Sequence, residues 1–253
     1  MIVQPFAALV SAVSFLLETS LLAAVLSSTW FVFTGLVAIL GITRIISRGL
    51  YPLEELSIDA GLLYLPVAGV WLVIYRFGIQ PFGYGETIIL LTVVHFHFAG
   101  FAAPIIAGMN GRVLARREYP RRMYAFSVFA IVAAMPLVAA GITFTPVGGL
   151  IGALLLSIGL VSLAILTIAW VIPAIGPIEK RSLLVIGALS NCAAMVLACL
   201  YAYSLVAQTL ILTIAAMAAT HGLLNAFGFV GWSLLAWALP TTATDPVYNQ
   251  PAK

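Results

Sequence analysis

Three histidines lie within long apolar stretches, and these are the residues best suited to chemistry. His95 and His97 share one stretch, and His221 lies in another. An ionisable group in hydrocarbon costs roughly 2.5–3.5 kcal/mol, so each is a functional candidate. A histidine at that depth can relay a proton or bind a metal ion. The structural alternative is a neutral imidazole that is hydrogen-bonded to a neighbouring helix.

The spacing of the histidines along the chain predicts which of them can lie together. His221 and Asn225 are four residues apart, which puts them on one face of a helix. His95 and His97 are two apart, so a regular helix turns them about 200° away from each other. Pro104 cannot donate to the carbonyl of residue 100, which predicts a kink just past His97. We expect His97 and His221 to share a mid-bilayer cavity, while His95 points elsewhere.

Two acids are candidates for the same chemistry. Glu18 interrupts the first apolar stretch, and Asp59 lies near the cytoplasmic end of a later one. Burial keeps a carboxyl group protonated, so either acid is a candidate proton donor. The predicted site carries no cofactor and no metal ion. The predicted catalytic residues are His97, His221, Glu18, Asn225, His95 and Asp59.

Membrane-spanning helices must position these residues. Hydrophobic residues make up 63% of the 253-residue chain and charged residues only 8%, with a mean hydropathy of +1.17. Soluble domains carry about 25% charged residues, and about 20 apolar residues cross a bilayer. The sequence therefore predicts an all-α, polytopic transmembrane helix bundle. The predicted spans are 4–25, 30–48, 58–76, 85–108, 123–144, 148–172, 182–203 and 209–239.

The division of the first apolar stretch is the open point. A turn at residues 26–29 gives eight spans, and a single long tilted helix gives seven. The first segment has no basic start and no cleavage pattern, so we expect it to be retained. We expect one transmembrane domain over residues 1–239 and a short polar cytoplasmic tail over residues 240–253.

Basic residues predict the orientation. With eight spans, Arg76 alone lies on one side of the membrane. The other side carries Arg44, Arg48, Arg112, Arg116, Arg117, Arg121, Arg122, Lys180, Arg181 and Lys253. This asymmetry places both termini in the cytoplasm of a multi-pass cell-membrane protein. The net charge of +3 belongs to these loops and does not indicate nucleic-acid binding.

Residues 90–108, with the segment His-Phe-His-Phe-Ala-Gly-Phe, resemble the signature of the YndJ-like membrane proteins. Residues 65–71, 76–83 and 221–229 are also similar to that family. The resemblance covers roughly residues 50–235. It implies that His95, His97, His221 and Asn225 are family positions, and it implies no particular reaction.

Three functions remain open at this point. The first is an intramembrane enzyme that performs acid–base cyclisation, isomerisation or hydration on a lipophilic substrate, such as an isoprenoid or an epoxide. Aromatic residues, including 14 Phe, suit stabilisation of a carbocation. The second is a proton-coupled transporter, which polar midplane residues and a kinked helix would fit. The third is a haem- or metal-binding membrane protein. The lipid bilayer and a lipophilic small molecule are the expected partners.

Overall fold

The computed structural model describes residues 3–240, and every regular element in that range is helical. This confirms the predicted all-α, polytopic class. Seven helices are long and apolar enough to cross a membrane, and a shorter apolar helix precedes them. In chain order they are α1 (Val3–Leu16), α2 (Leu21–Arg48), α3 (Leu53–Phe77), α4 (Glu86–Leu114), α5 (Arg121–Phe144), α6 (Pro146–Ala174), α7 (Ile178–Ala207) and α8 (Ile214–Ala238). The predicted polar tail lies outside the described residues, except for its first position.

The first break in the chain falls earlier than predicted. Residues 17–20 separate α1 from α2, and the Ser20 side chain caps α2 by accepting from the Ala23 N–H at 3.2 Å. The prediction of a turn at 26–29 is wrong. The hydroxyls of Ser27, Ser28 and Thr29 donate to carbonyls three residues back, so they remain inside a continuous helix.

Helix α1 is too short to be the predicted first span. Its 14 residues extend about 21 Å at 1.5 Å per residue, against a hydrocarbon core of about 30 Å. Arg76, at the end of α3, binds backbone carbonyls at the C-terminal end of α1. The guanidinium donates to the Ser14 and Leu17 carbonyls at 2.7 and 2.6 Å and lies 5.0 Å from the Phe15 ring centre.

Wider π-helical turns interrupt three of the long helices. They cover Phe96–Ala102 in α4, Thr167–Val171 in α6, and Ala218–Gly222 with Leu224–Gly231 in α8. The first two lie just before Pro104 and Pro173, which lack the N–H that a regular turn requires. Each interruption carries a polar side chain, and such turns are frequent at functional sites.

The chain divides into two compact units. Within the described range, one holds the chain up to Tyr51 together with Ile58–Ala102. The second holds Pro52–Ser57 and the chain from Ala103 onward. In the second unit the backbones of α5 and α6 are in close contact at Gly141. A Cβ on this residue would lie 2.1 Å from the Gly149 nitrogen, so the position has no room for a side chain.

Candidate functional site

His97 is held from two sides in the first unit. Its Nδ1 lies 2.9 Å from the Val93 carbonyl oxygen, one turn back in α4. Its Nε2 lies 2.9 Å from the indole nitrogen of Trp30 on α2, and the two rings stack with centres 5.8 Å apart. A carbonyl only accepts and an indole N–H only donates. The imidazole is therefore neutral, with its proton on Nδ1.

His95 has different surroundings from His97. It is exposed, and its Nδ1 lies 2.8 Å from the Leu91 carbonyl of its own helix. The two residues fall on either side of the change from α-helical to π-helical turns at Phe96. The chain therefore presents one of its paired histidines outward and the other to Trp30.

His221 and Asn225 form a second polar pair, in the second unit. The His221 Nδ1 donates to the Ala194 carbonyl on α7 at 2.9 Å. The Asn225 amide nitrogen lies 3.1 Å from His221 Nε2 and 3.3 Å from Nδ1, and it also donates to the His221 carbonyl at 3.1 Å. This imidazole is also neutral with its proton on Nδ1. The amide holds Nε2 more loosely than Trp30 holds that of His97.

One of the two acids lies outside its predicted span, and the other is paired with two arginines. Glu18 is exposed in the connection between α1 and α2, not inside a span, because the chain turns at residues 17–20. Asp59 is fully buried, and its carboxylate pairs with Arg44 at 2.5 Å and with Arg48. Since two guanidinium groups bind this carboxylate, the proton-donor role predicted for Asp59 has no geometric support.

The predicted cavity shared by His97 and His221 stays a prediction. His97 has its partners, Val93 and Trp30, in the first unit, whereas His221 has Ala194 and Asn225 in the second. The contacts of each histidine are therefore described within its own unit.

The family model described as YndJ-like protein matches residues 1–229. The chain belongs to this family. It is 30% identical over 213 residues to a protein of Bacillus subtilis (strain 168) named "Uncharacterized membrane protein YndJ". That match covers 83% of this chain but only 37% of the Bacillus protein. No solved structure matches the chain.

In this YndJ-like chain, the most informative residue that sequence reasoning missed is Trp30. An indole N–H within a long apolar helix requires an acceptor, and this signal was available in the sequence. Asn110 is a second case, since it lies near the end of an apolar span and is 1% exposed. Its importance depends on a partner 57 residues away, Thr167, which spacing along the chain does not reveal.

The arrangement of the described side chains gives the metal-site hypothesis no support. Within residues 3–240, no group of three or more His, Cys, Asp or Glu side chains is arranged to hold a metal ion. The Nδ1 atoms of both semi-buried histidines face backbone carbonyls, so only their Nε2 atoms present lone pairs.

Proposed function

We propose that this multi-pass membrane protein is an intramembrane enzyme that moves a proton on a lipophilic substrate. His221 takes the proton at Nε2 and returns it, and Asn225 adjusts to both states of the ring. The observation that supports this most directly is the Asn225 amide nitrogen, 3.1 Å from that Nε2.

The amide makes His221 a reversible base. While the ring is neutral, the Asn225 nitrogen donates to Nε2. Once Nε2 carries a proton, the side chain can rotate and present Oδ1, because a carboxamide both donates and accepts. The rotation replaces the bond that the amide nitrogen donates to the His221 carbonyl. The Ala194 carbonyl continues to accept from Nδ1 in both states. The protonated ring therefore keeps a partner at each nitrogen.

The exposure of α8 supports the proposal that the substrate is dissolved in the bilayer. Only 11% of an apolar 18-residue stretch of this helix is buried, compared with 22% to 50% of the corresponding stretches in the other six long helices. Leu223 and Phe227, on either side of Asn225, are 53% and 69% exposed. Lipid-facing side chains of this kind suit a substrate that approaches from hydrocarbon.

Isomerisation fits these residues better than cyclisation or hydration started by an acid. Those reactions begin with a proton donor, and neither Glu18 nor Asp59 is placed to be one. A neutral imidazole instead removes a proton from an activated carbon, such as one beside a carbonyl. After the imidazolium proton exchanges with water, the ring delivers a proton to another position. The carbon–hydrogen bond broken at one site is remade at the other, and no co-reactant is consumed.

Deuterium transfer tests this proposal on the whole lipid pool, so the substrate need not be identified first. Membranes containing the wild-type protein are incubated in D₂O, and their lipids are analysed by mass spectrometry after exchangeable deuterium is washed out. We expect one lipid class to gain carbon-bound deuterium in the presence of wild-type protein. His221→Gln should lower the rate at least ~100-fold, which is typical for loss of a general base.

The matched control is Thr220→Ala. Thr220 precedes His221, is exposed, and donates to the Ala216 carbonyl of its own helix. This variant should keep the wild-type rate. Deuterium gain equal to that of membranes lacking the protein contradicts the enzyme proposal, and an undiminished rate in His221→Gln contradicts the assignment of the base.

A proton-coupled carrier is the second candidate, and the π-helical interruptions favour it. Carriers bind their substrates where helices are interrupted near the midplane, and α4, α6 and α8 all change register at polar residues. Protein in liposomes that enclose a pH-sensitive dye separates the two candidates. The enzyme proposal predicts proton movement no faster than in protein-free liposomes.

We also propose that the basic loops face the cytoplasm, following the charge asymmetry. Arg112, Arg121 and Lys180 mark that side. The expectation for the N-terminus loses its basis, since it depended on a first span that α1 is too short to provide. Labelling of single cysteines placed in these loops by an impermeant reagent tests the orientation, with protection expected in intact cells.

A further inference from the structure

A small polar cavity lies within the second unit. The volume open to the centre of a water molecule is about 10 Å³, and a cavity of this size can hold one water. Asn110 on α4, Thr167 on α6, Asn191 on α7 and Ser233 on α8 supply the polar part of its lining. All four side chains are at most 5% exposed.

Two amide oxygens at this cavity have no hydrogen-bond partner within the described part of the chain. They are Oδ1 of Asn110 and Oδ1 of Asn191, both buried. Buried carbonyl oxygens are nearly always satisfied in native structures, because leaving one unpaired is costly. The two oxygens therefore require a donor that residues 3–240 do not supply.

The orientation of each amide is set by the chemistry of its other partner. The Asn191 nitrogen donates to the Leu160 carbonyl at 2.8 Å, and a carbonyl can only accept. The Asn110 nitrogen donates to the Thr167 hydroxyl at 2.7 Å, and this hydroxyl uses its own hydrogen on the Leu163 carbonyl. Exchanging oxygen and nitrogen in either amide would break these bonds, so both unpaired atoms are acceptors.

We propose that one bound water molecule occupies this cavity and donates one hydrogen to each amide oxygen. Water has two donors for the two acceptors, and it carries no charge. A sodium ion would also suit oxygen ligands, but no acidic side chain lines the cavity. Burying an uncompensated charge at this site would be far more costly than burying a neutral molecule.

The water completes a chain of hydrogen bonds that links three helices and begins and ends on α6. These hydrogen bonds run from Thr167 on α6 to Asn110 on α4, through the water to Asn191 on α7, and back to Leu160 on α6. Asn191 lies three residues before Ala194, whose carbonyl accepts from His221. The bound water therefore helps to fix the part of α7 that orients this imidazole.

An experimental structure of the full chain in lipid nanodiscs, at a resolution of about 2 Å, tests the proposal. It is determined once in sodium chloride and once in choline chloride. We expect one density peak about 2.8 Å from both amide oxygens in both salts, and the same Tm in both. An empty cavity would overturn the proposal. A peak and a Tm that both depend on sodium would overturn it as well, by assigning the site to a cation.

Substitution of one amide gives the matched comparison. Asn191→Leu should remove the peak, because the water loses one of its two acceptors. Ser127→Ala should retain it, because the buried Ser127 hydroxyl donates to the Gly159 carbonyl and does not line the cavity. Retention of the peak in Asn191→Leu contradicts the assigned bridge. If Asn191→Leu does not fold, the wild-type measurement decides the question alone.

Discussion

His97 and His221 each contact their own helix through one ring nitrogen and another helix through the other. The two nitrogens have opposite roles in the two residues. His97 donates from Nδ1 to its own helix and accepts at Nε2 from a side chain of another helix, Trp30. His221 donates from Nδ1 to another helix, at Ala194, and has at Nε2 a residue of its own helix, Asn225. Both rings are neutral, but they respond differently to a proton.

The difference lies in what the partner of Nε2 can do. Trp30 can only donate, so protonation of His97 sets two donors against each other and breaks the hydrogen bond between α2 and α4. His221 contacts α7 through Nδ1 at the Ala194 carbonyl, so protonation at Nε2 leaves the contact between α7 and α8 in place. The comparison supports the proposed proton exchange at His221 and favours a structural contact for His97.

The largest difference in stability should come from replacing each ring with leucine. His97→Leu leaves the half-buried Trp30 N–H without an acceptor, a loss of about 1–3 kcal/mol in the free energy of unfolding. His221→Leu should cost less, because the Asn225 nitrogen still donates to the backbone carbonyl at position 221. Thermal unfolding of both variants in one detergent measures the difference.

Thr92→Val is the control for His97→Leu on the same helix. The Thr92 hydroxyl donates to the Ile88 carbonyl within α4, and its loss should change Tm less than His97→Leu does. If the two histidine variants are equally stable, the contrast between the two histidines is wrong.

A smaller effect is expected from Trp30→Phe. The substitution retains a ring to stack on His97 and removes only the indole donor, at a cost of about 1 kcal/mol. His97→Leu should then cost less in the Trp30→Phe background than in the wild type, because no N–H is left unsatisfied. Tm values of the single and double variants provide this cycle, and additive values would show that the hydrogen bond contributes nothing.

The smallest effect should follow Asn225→Leu. The side chain is half-buried and its hydrogen bonds lie within its own helix, so we expect a change of about 0.5 kcal/mol or less. The same variant should slow deuterium transfer, because protonated His221 loses the oxygen that stabilises it. A large loss of stability with an unchanged transfer rate would reverse the roles of the two histidines.

The fold was largely predictable because hydropathy determines where helices cross the membrane. The first turn was not, since Ser20 and the serines at 27 and 28 look alike in sequence. Only the backbone shows that Ser20 caps a helix while the others bond back within it. Glu18 was misplaced for the same reason.

The site was predictable in its residues but not in its pairing. The four-residue spacing of His221 and Asn225 correctly predicted that they share a face. The partners Trp30 and Ala194 are distant in sequence from the histidines they bind. The two arginines that pair with Asp59 lie four residues apart on α2, so helix geometry alone could have grouped them.

Nitrogen NMR of ¹⁵N-histidine-labelled protein in nanodiscs tests the central contrast most directly. The pH is lowered while Trp30 fluorescence is followed in protein whose other four tryptophans are replaced by phenylalanine. Both rings should start neutral with the proton on Nδ1. Conversion of His97 to imidazolium should change Trp30 fluorescence at the same pH, whereas conversion of His221 should leave it unchanged. His97→Gln and His221→Gln assign the signals. Protonation of His97 without any change at Trp30 would contradict the account.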